Sequence, residues 1–189
     1  LAIEQSLDGV HRVSKIVMAM KEFSHPGGQE KKSLDLNRAI QTTLDISRNA
    51  WKYMADVVTR FDPDLPPVPC FSDEFNQVIL NLVVNAAQAM ADKGKENENV
   101  KGTITITTRS DKGWVEILIE DDGGGIPEEI QTKIFDPFFT TKPVGVGTGQ
   151  GLSIVHSIVT KQHQGTITFS SQVNRGTTFC VRLPIHPEK

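Results

Sequence analysis

Apolar residues recur at steps of three and four through the first segment of the chain. Ile3, Leu7, Val10, Val13, Val17 and Met20 form one wide stripe, which predicts a helix over Ile3–Phe23. Such a stripe packs either on its own domain or on a partner helix in a bundle or dimer. Ser24-His25-Pro26-Gly27-Gly28 breaks the pattern, and residues 24–32 read as a linker. From Ser33 the periodicity mixes three-to-four and two. Asn37 is a candidate cap for a helix reaching Ala50. Ala55–Phe61 reads as a strand, and the prolines among Leu65–Pro69 exclude helix there. A long helix is expected from Asp73 to Met90, then a polar loop over 93–101. Thr103–Thr108 and Trp114–Glu120 alternate around Ser110-Asp111-Lys112-Gly113, a pattern that predicts a hairpin. After a glycine-rich stretch, Leu152–His163 reads as helix. Thr166–Ser170 and Thr177–Leu183 read as strands joined at Asn174-Arg175-Gly176. About five strands and three helices, not in strict alternation, with two hairpins, predict helices over one face of a mixed sheet.

Composition adds limits. The 189 residues carry 38% hydrophobic and 23% charged side chains, an ordinary globular balance. The net charge of -3 provides no basic field for nucleic acid. The two cysteines, Cys70 and Cys180, form no disulfide framework and have no metal-ligand spacing, so a reducing, cytoplasmic setting is expected. No run of apolar residues reaches membrane-spanning length and no signal peptide is visible. The chain starts with Leu1 and reads as a piece of a longer protein, whose membrane anchoring is left open.

Three stretches carry candidate chemistry. On the long helix, Gln77, Asn81, Asn85 and Gln88 share a face beside the apolar one. Asparagine is a poor helix-interior residue, so this face is either solvated or an amide-lined wall for a ligand, suited to Mg²⁺ held mainly by phosphates. Glu120-Asp121-Asp122-Gly123-Gly124-Gly125-Ile126-Pro127 begins where a strand ends. It is either a plain loop or a tight turn that presents Asp121 to an exocyclic amine such as that of adenine. Gly145-Val146-Gly147-Thr148-Gly149-Gln150-Gly151-Leu152 runs into a helix and reads as a hinge or as an anion cradle. It matches neither a P-loop nor a dinucleotide fingerprint. Between the last two lie Phe135, Phe138 and Phe139, followed by Thr140-Thr141-Lys142, which read as lid anchors or as ordinary loop packing.

Taken in order, these stretches resemble the ATP-binding catalytic domain of bacterial sensor histidine kinases, within the wider group that includes gyrase, MutL and chaperone ATPases. The resemblance covers about residues 33–184. It rests on Asn81-Leu82-Val83-Val84-Asn85-Ala86, Asp121-Asp122-Gly123-Gly124-Gly125-Ile126, Phe135-Asp136-Pro137-Phe138-Phe139, Gly147-Thr148-Gly149-Gln150-Gly151-Leu152 and Gly176-Thr177-Thr178-Phe179. It implies a Bergerat-type two-layer α/β (α+β) sandwich over 33–189, with a mixed sheet of about five strands under three helices, preceded by the N-terminal helix. Residues 1–23 would be the second helix of a dimerisation and phosphoacceptor hairpin.

The resemblance also implies roles. Asp121 would accept from the adenine amine. Asn85, with Asn81, would hold Mg²⁺ against the ATP phosphates. Gly123, Gly125, Ile126, Phe138, Thr140, Thr141, Gly147, Thr148, Gly149, Gln150, Gly151 and Leu152 would shape the nucleotide site, with 127–149 as a lid. Many members carry a phosphate-binding Lys where Gln88 stands here, and Lys142 is the candidate replacement. Hydrolytic relatives place a Glu base where Asn81 stands, which favours transfer to a protein histidine over water attack. The implied partners are the chain's own dimerisation domain, in a homodimer, and a response regulator. A hydrolytic ATPase and a nucleotide-binding module without kinase activity are the alternatives. None of His11, His25, His156, His163 and His186 precedes an acidic residue. All five read as surface histidines, and the acceptor is expected to lie outside this chain.

Overall fold

The computed structural model describes residues 30–94, 101–142 and 147–186. The expected N-terminal helix, most of the linker, much of the 93–101 loop and part of the second glycine-rich stretch fall outside them.

Strand β1 (Lys32–Leu34) opens the described chain. Helix α1 (Leu36–Ile46) follows, capped by Asp35, whose carboxylate accepts from Arg38 N at 3.0 Å. The expected cap, Asn37, instead lies inside the helix. Its amide donates to the Asp62 carbonyl at 2.8 Å and accepts from Thr108 Oγ1 at 2.8 Å. An Asp cap two residues earlier lets Leu36 and Ile40 reach the core while Asn37 ties the helix to the sheet. The expected single helix to Ala50 is divided. A short helix α2 (Arg48–Trp51) restarts after Ser47, and the Trp51 indole donates to the Leu44 carbonyl at 3.3 Å.

Strand β2 (Ala55–Arg60) leads to the proline-rich segment. That segment contains strand β3 (Val68–Cys70), which the sequence reading missed; it pairs antiparallel with β1, placing Pro69 opposite Ser33. A two-stranded ribbon tolerates a proline because a strand there has an unpaired edge.

Helix α3 (Ser72–Gly94) follows, with Phe75, Val78, Ile79, Leu82, Val83, Ala86 and Ala87 buried along one stripe. Strands β4 (Gly102–Asp111) and β5 (Trp114–Asp121) form the expected hairpin. After the short helix α4 (Glu128–Gln131) comes helix α5 (Gly151–Ser157), then β6 (Thr166–Gln172) and β7 (Gly176–Pro184), the second expected hairpin.

The main sheet runs β2-β4-β5-β7-β6. β2 and β4 are parallel, and α3 lies on the crossover between them; the other pairs are antiparallel. The result is the expected two-layer α/β sandwich on a five-stranded mixed sheet. Alternation sends Val115, Ile117 and Ile119 of β5, with Phe179, Val181 and Leu183 of β7, into the buried core. Glu116, on the opposite face, is buried between the guanidinium groups of Arg109 and Arg182, at 2.6 and 3.0 Å.

The expected helix Leu152–His163 is α-helical only to Ser157 and continues as a π-helical turn over Ile158–Gln162. The extra residue turns His163 inward. It is 3% exposed, not on the surface as expected. Its Nδ1–H donates to the Ile158 carbonyl at 3.1 Å, and Nε2 accepts from Phe71 N at 3.1 Å. Both ring nitrogens are satisfied in the neutral form, and burial lowers the His163 pKa below its ordinary 6.5. The unfolded chain therefore takes up a proton near pH 6.5 that the native chain resists. The stability that His163 contributes is full above that pH and declines as pH falls below it. Thermal melts at pH 7.5 and 5.5 should show a larger acid loss for the wild type than for His163→Gln; equal losses would exclude this titration.

Candidate functional site

A cavity of about 520 Å³ opens between α3, the glycine turn after β5, residues 139–142 and 147–152, and β7. Its walls come from two groups of residues. The first is the polar face of α3. Asn81, Asn85 and Gln88 line the cavity, one helical turn apart, because the opposite stripe of the same helix is committed to the core. Gly151 at the start of α5 faces them closely, since a Cβ there would lie 3.8 Å from both Asn81 Oδ1 and Asn85 Nδ2. Asn81 Nδ2 is buried and has no hydrogen-bond partner among the described residues. A buried unpaired amide costs roughly 1–3 kcal/mol, a cost that a ligand acceptor would offset.

Lys142 reaches across from the loop, and its ammonium donates to Gln88 Oε1. The turn that delivers it is set by Thr140 Oγ1, which accepts from Lys142 N at 3.1 Å. The contact brings the Lys142 ammonium to the polar face of α3. The Gln88 contact was not legible in the sequence, since residues 88 and 142 meet only through the tertiary fold.

The second group surrounds the end of the central strand β5. Asp121 Oδ1 accepts from Gly123 N at 2.9 Å and from Thr177 N at 3.3 Å. Thr177 and Phe179 of β7 line the cavity beside Asp121, Gly124, Gly125 and Ile126. Of the residues singled out in the sequence, the cavity wall brings together Asn81, Asn85, Asp121, Gly125, Ile126, Thr140, Thr141, Lys142, Gly147, Thr148, Gly149, Gly151 and Leu152. Gly123, Phe138 and Gln150 do not line it. Gly123 acts one step back, through its N–H on Asp121. Phe138 is 70% exposed with φ +66, while Phe135 and Phe139 pack against the core. Two of the three phenylalanines therefore anchor this loop and the third does not. Gln88, Gly124, Thr177 and Phe179 also belong to the wall. The strand register, which sets Thr177 opposite Asp121, is the signal that brings in β7.

A two-layer sandwich on a five-stranded mixed sheet, with a strand-end carboxylate and a helix face of amides on a cavity of mixed polar and apolar lining, places the chain in the α/β sandwich class. The family comparison agrees: residues 71–187 match the model of histidine kinase-, DNA gyrase B-, and HSP90-like ATPases, and the chain belongs to that family. Its relatives are sensor kinases. It is 35% identical to the signal transduction histidine-protein kinase AtoS of Escherichia coli K12, over 96% of this chain and 28% of that protein. It is 31% identical to the sensory histidine kinase/phosphatase NtrB of Azospirillum brasilense, over 96% of this chain and 46% of that one. The chain thus spans less than half the length of these relatives. The catalytic domain of histidine kinase ThkA superposes with a TM-score of 0.71 at 32% identity, covering 84% of this chain and all of that domain.

Asp121→Asn keeps the side chain's shape and turns part of its acceptor into a donor. ATP affinity should fall by roughly 1–3 kcal/mol, measured by calorimetric titration, with little change in thermal stability. Unchanged affinity would remove Asp121 from the base site.

Proposed function

We propose that this chain is the ATP-binding and phosphotransfer part of a two-component sensor histidine kinase, moving the γ-phosphate of ATP to a histidine on a dimerisation domain. The observation that carries the reading is one cavity holding Asp121 in one group of residues and Asn81, Asn85 and the Lys142–Gln88 pair in the other. The first group fits a purine amine. The second fits phosphates.

Mg²⁺ fits the second group by the chemistry of its donors. The amide oxygens of Asn85 and Asn81 are neutral and hard, and they suit a cation that phosphates already bind. An Asn amide can also turn its N–H end to a phosphate oxygen. The cation would supply charge neutralisation of the triphosphate.

The chain's own residues position and neutralise. Lys142 sets a positive charge at the phosphate end. Asn81 cannot take a proton, so it does not activate water. The reaction left to this site is in-line attack by an imidazole nitrogen of the acceptor. A nitrogen–phosphorus bond forms, the bond from the γ-phosphorus to the bridging oxygen breaks, and ADP leaves.

Further partners follow from the relatives. ThkA has been solved in complex with the response regulator TrrA, in a structure that matches 97% of this chain at a TM-score of 0.75. A response regulator and the chain's own dimerisation domain, in a homodimer, are the partners proposed here. Among the described residues no helix is long and apolar enough to cross a membrane. The catalytic part is proposed to work in the cytoplasm.

The test is incubation with γ-labelled ATP, with and without a dimerisation hairpin that carries a phosphoacceptor histidine, supplied as a separate polypeptide. Acid-labile label should appear on the hairpin histidine and not on this chain, and Asn85→Ala should reduce transfer at least a hundredfold. Release of labelled phosphate to water, with none on the hairpin, would instead make the chain a hydrolase.

A further inference from the structure

The base end of the cavity depends on a strand that carries no residue of the cavity wall. The cross-strand register sets Asp121 of β5 opposite Thr177 of β7, and Thr177 opposite Ser171 of the edge strand β6. Three polar side chains from three strands therefore stand in one row across the sheet. Ser171 closes that row. Its Oγ accepts from Ile126 N at 2.8 Å, lies 2.9 Å from Thr177 Oγ1 and donates to the Gly176 carbonyl at 3.2 Å. With the Thr177 hydroxyl donating, one donor and two acceptor positions are all used, the full capacity of a hydroxyl.

The elements joined this way are the two that flank the carboxylate. Ile126 ends the glycine turn that follows Asp121, and Thr177 N donates, like Gly123 N, to Asp121 Oδ1. Close backbone approaches stiffen the joint. Gly176, at φ +113, lies so near Asp121 that a Cβ would overlap the Asp121 carbonyl oxygen. Gly125, at φ +69, lies equally close to the Gln172 carbonyl, and Asn174 N donates to the Gly124 carbonyl at 2.8 Å. The hairpin tip and the glycine turn are clamped together, with Ser171 as the side chain that fastens both to Thr177.

We propose that Ser171 is a positioning residue for nucleobase selection. It holds Ile126 and Thr177 so that the Asp121 carboxylate meets an exocyclic purine amine at a productive angle. The proposal rests on the reading of Asp121 given above. Hydrogen bonds weaken steeply as their angle closes, so a small shift of this joint costs the amine contact. The proposed phosphate end lies on α3 and residues 140–142 and 147–151, whereas the hydrogen bonds of Ser171 go to Ile126, Gly176 and Thr177. The loss should therefore fall on base discrimination and not on nucleotide binding as a whole.

The experiment compares ATP with inosine triphosphate, which carries a carbonyl where adenine carries the amine. Both are titrated with Mg²⁺ against the full chain as wild type, Ser171→Ala and Ser171→Thr. Ser171→Ala should lower ATP affinity about tenfold and leave inosine triphosphate affinity within about twofold, so the ratio narrows. Ser171→Thr keeps the hydroxyl and should keep the wild-type ratio. An unchanged ratio in Ser171→Ala overturns the proposal, whether both affinities fall together or neither falls. Should Ser171→Ala not fold, Ser171→Cys fills the same site with a weaker hydrogen-bonding atom and carries the same comparison. A wild type that does not prefer ATP overturns the Asp121 reading itself, which separates that failure from failure of the Ser171 role.

Discussion

The antiparallel pairing of Trp114–Asp121 with Gly176–Pro184 is the constraint on which the rest of the molecule depends. These two strands occupy the middle of the sheet, so each is paired on both edges. Their inward residues, Ile117, Ile119, Phe179, Val181 and Leu183, form the floor on which α3 packs. Their register also does chemical work. It ends with Asp121 opposite Thr177, so the strand pair delivers a carboxylate and a backbone donor to the same point at the mouth of the cavity. A slip of one residue would send Asp121 to the other face and the aliphatic row into solvent. Core burial and site geometry are fixed by the same pairing.

Helix α3 shows a second economy of the same kind. Its apolar stripe must face the sheet, and a helix that fixes one face fixes the others. Asn81, Asn85 and Gln88 are therefore aimed into the cavity by Phe75, Val78, Leu82 and Ala86. No loop could hold three amides one turn apart with so little freedom. Two further residues meet this wall, with Lys142 donating to Gln88 and Gly151 packing beside Asn81 and Asn85.

Much of this was legible in the chain itself because it is written in local periodicity. The two hairpins, the long helix and the strand-end carboxylate all follow from alternation, helical spacing and turn residues. What was missed lay in competition between neighbours or in long-range contact. Asp35 and Asn37 are both good caps, and only the contact with Thr108 decides that Asn37 serves elsewhere. The prolines leading into strand β3, with Pro69 inside it, exclude helix but do not announce pairing with Lys32–Leu34. The π-helical turn that buries His163 has no local signature, because its reason is the Phe71 N–H donor ninety-two positions away. The Gln88–Lys142 contact is of the same type. For the site, the residues of the asparagine, glycine and phenylalanine stretches were visible, while the supporting row through Thr177 and Ser171 required the sheet order.

The polar wall also limits what the cavity can do. Asn81, Asn85 and Gln88 are amides, which orient and donate but do not take a proton at neutral pH. Asp121 is a carboxylate, yet its Oδ1 is engaged by the N–H groups of Gly123 and Thr177 at the strand end. The cation, Lys142, belongs to the loop and reaches the amide wall from the other side. On the function proposed above, a site of this composition would select and align a nucleotide, and neutralise its phosphates, without a base poised at the amide wall. Phosphoryl transfer tolerates that division because its transition state needs placement and charge compensation more than covalent help. Under that reading the nucleophile would be supplied by another surface, and the timing of its arrival, not the composition of the cavity, would set when the phosphate moves.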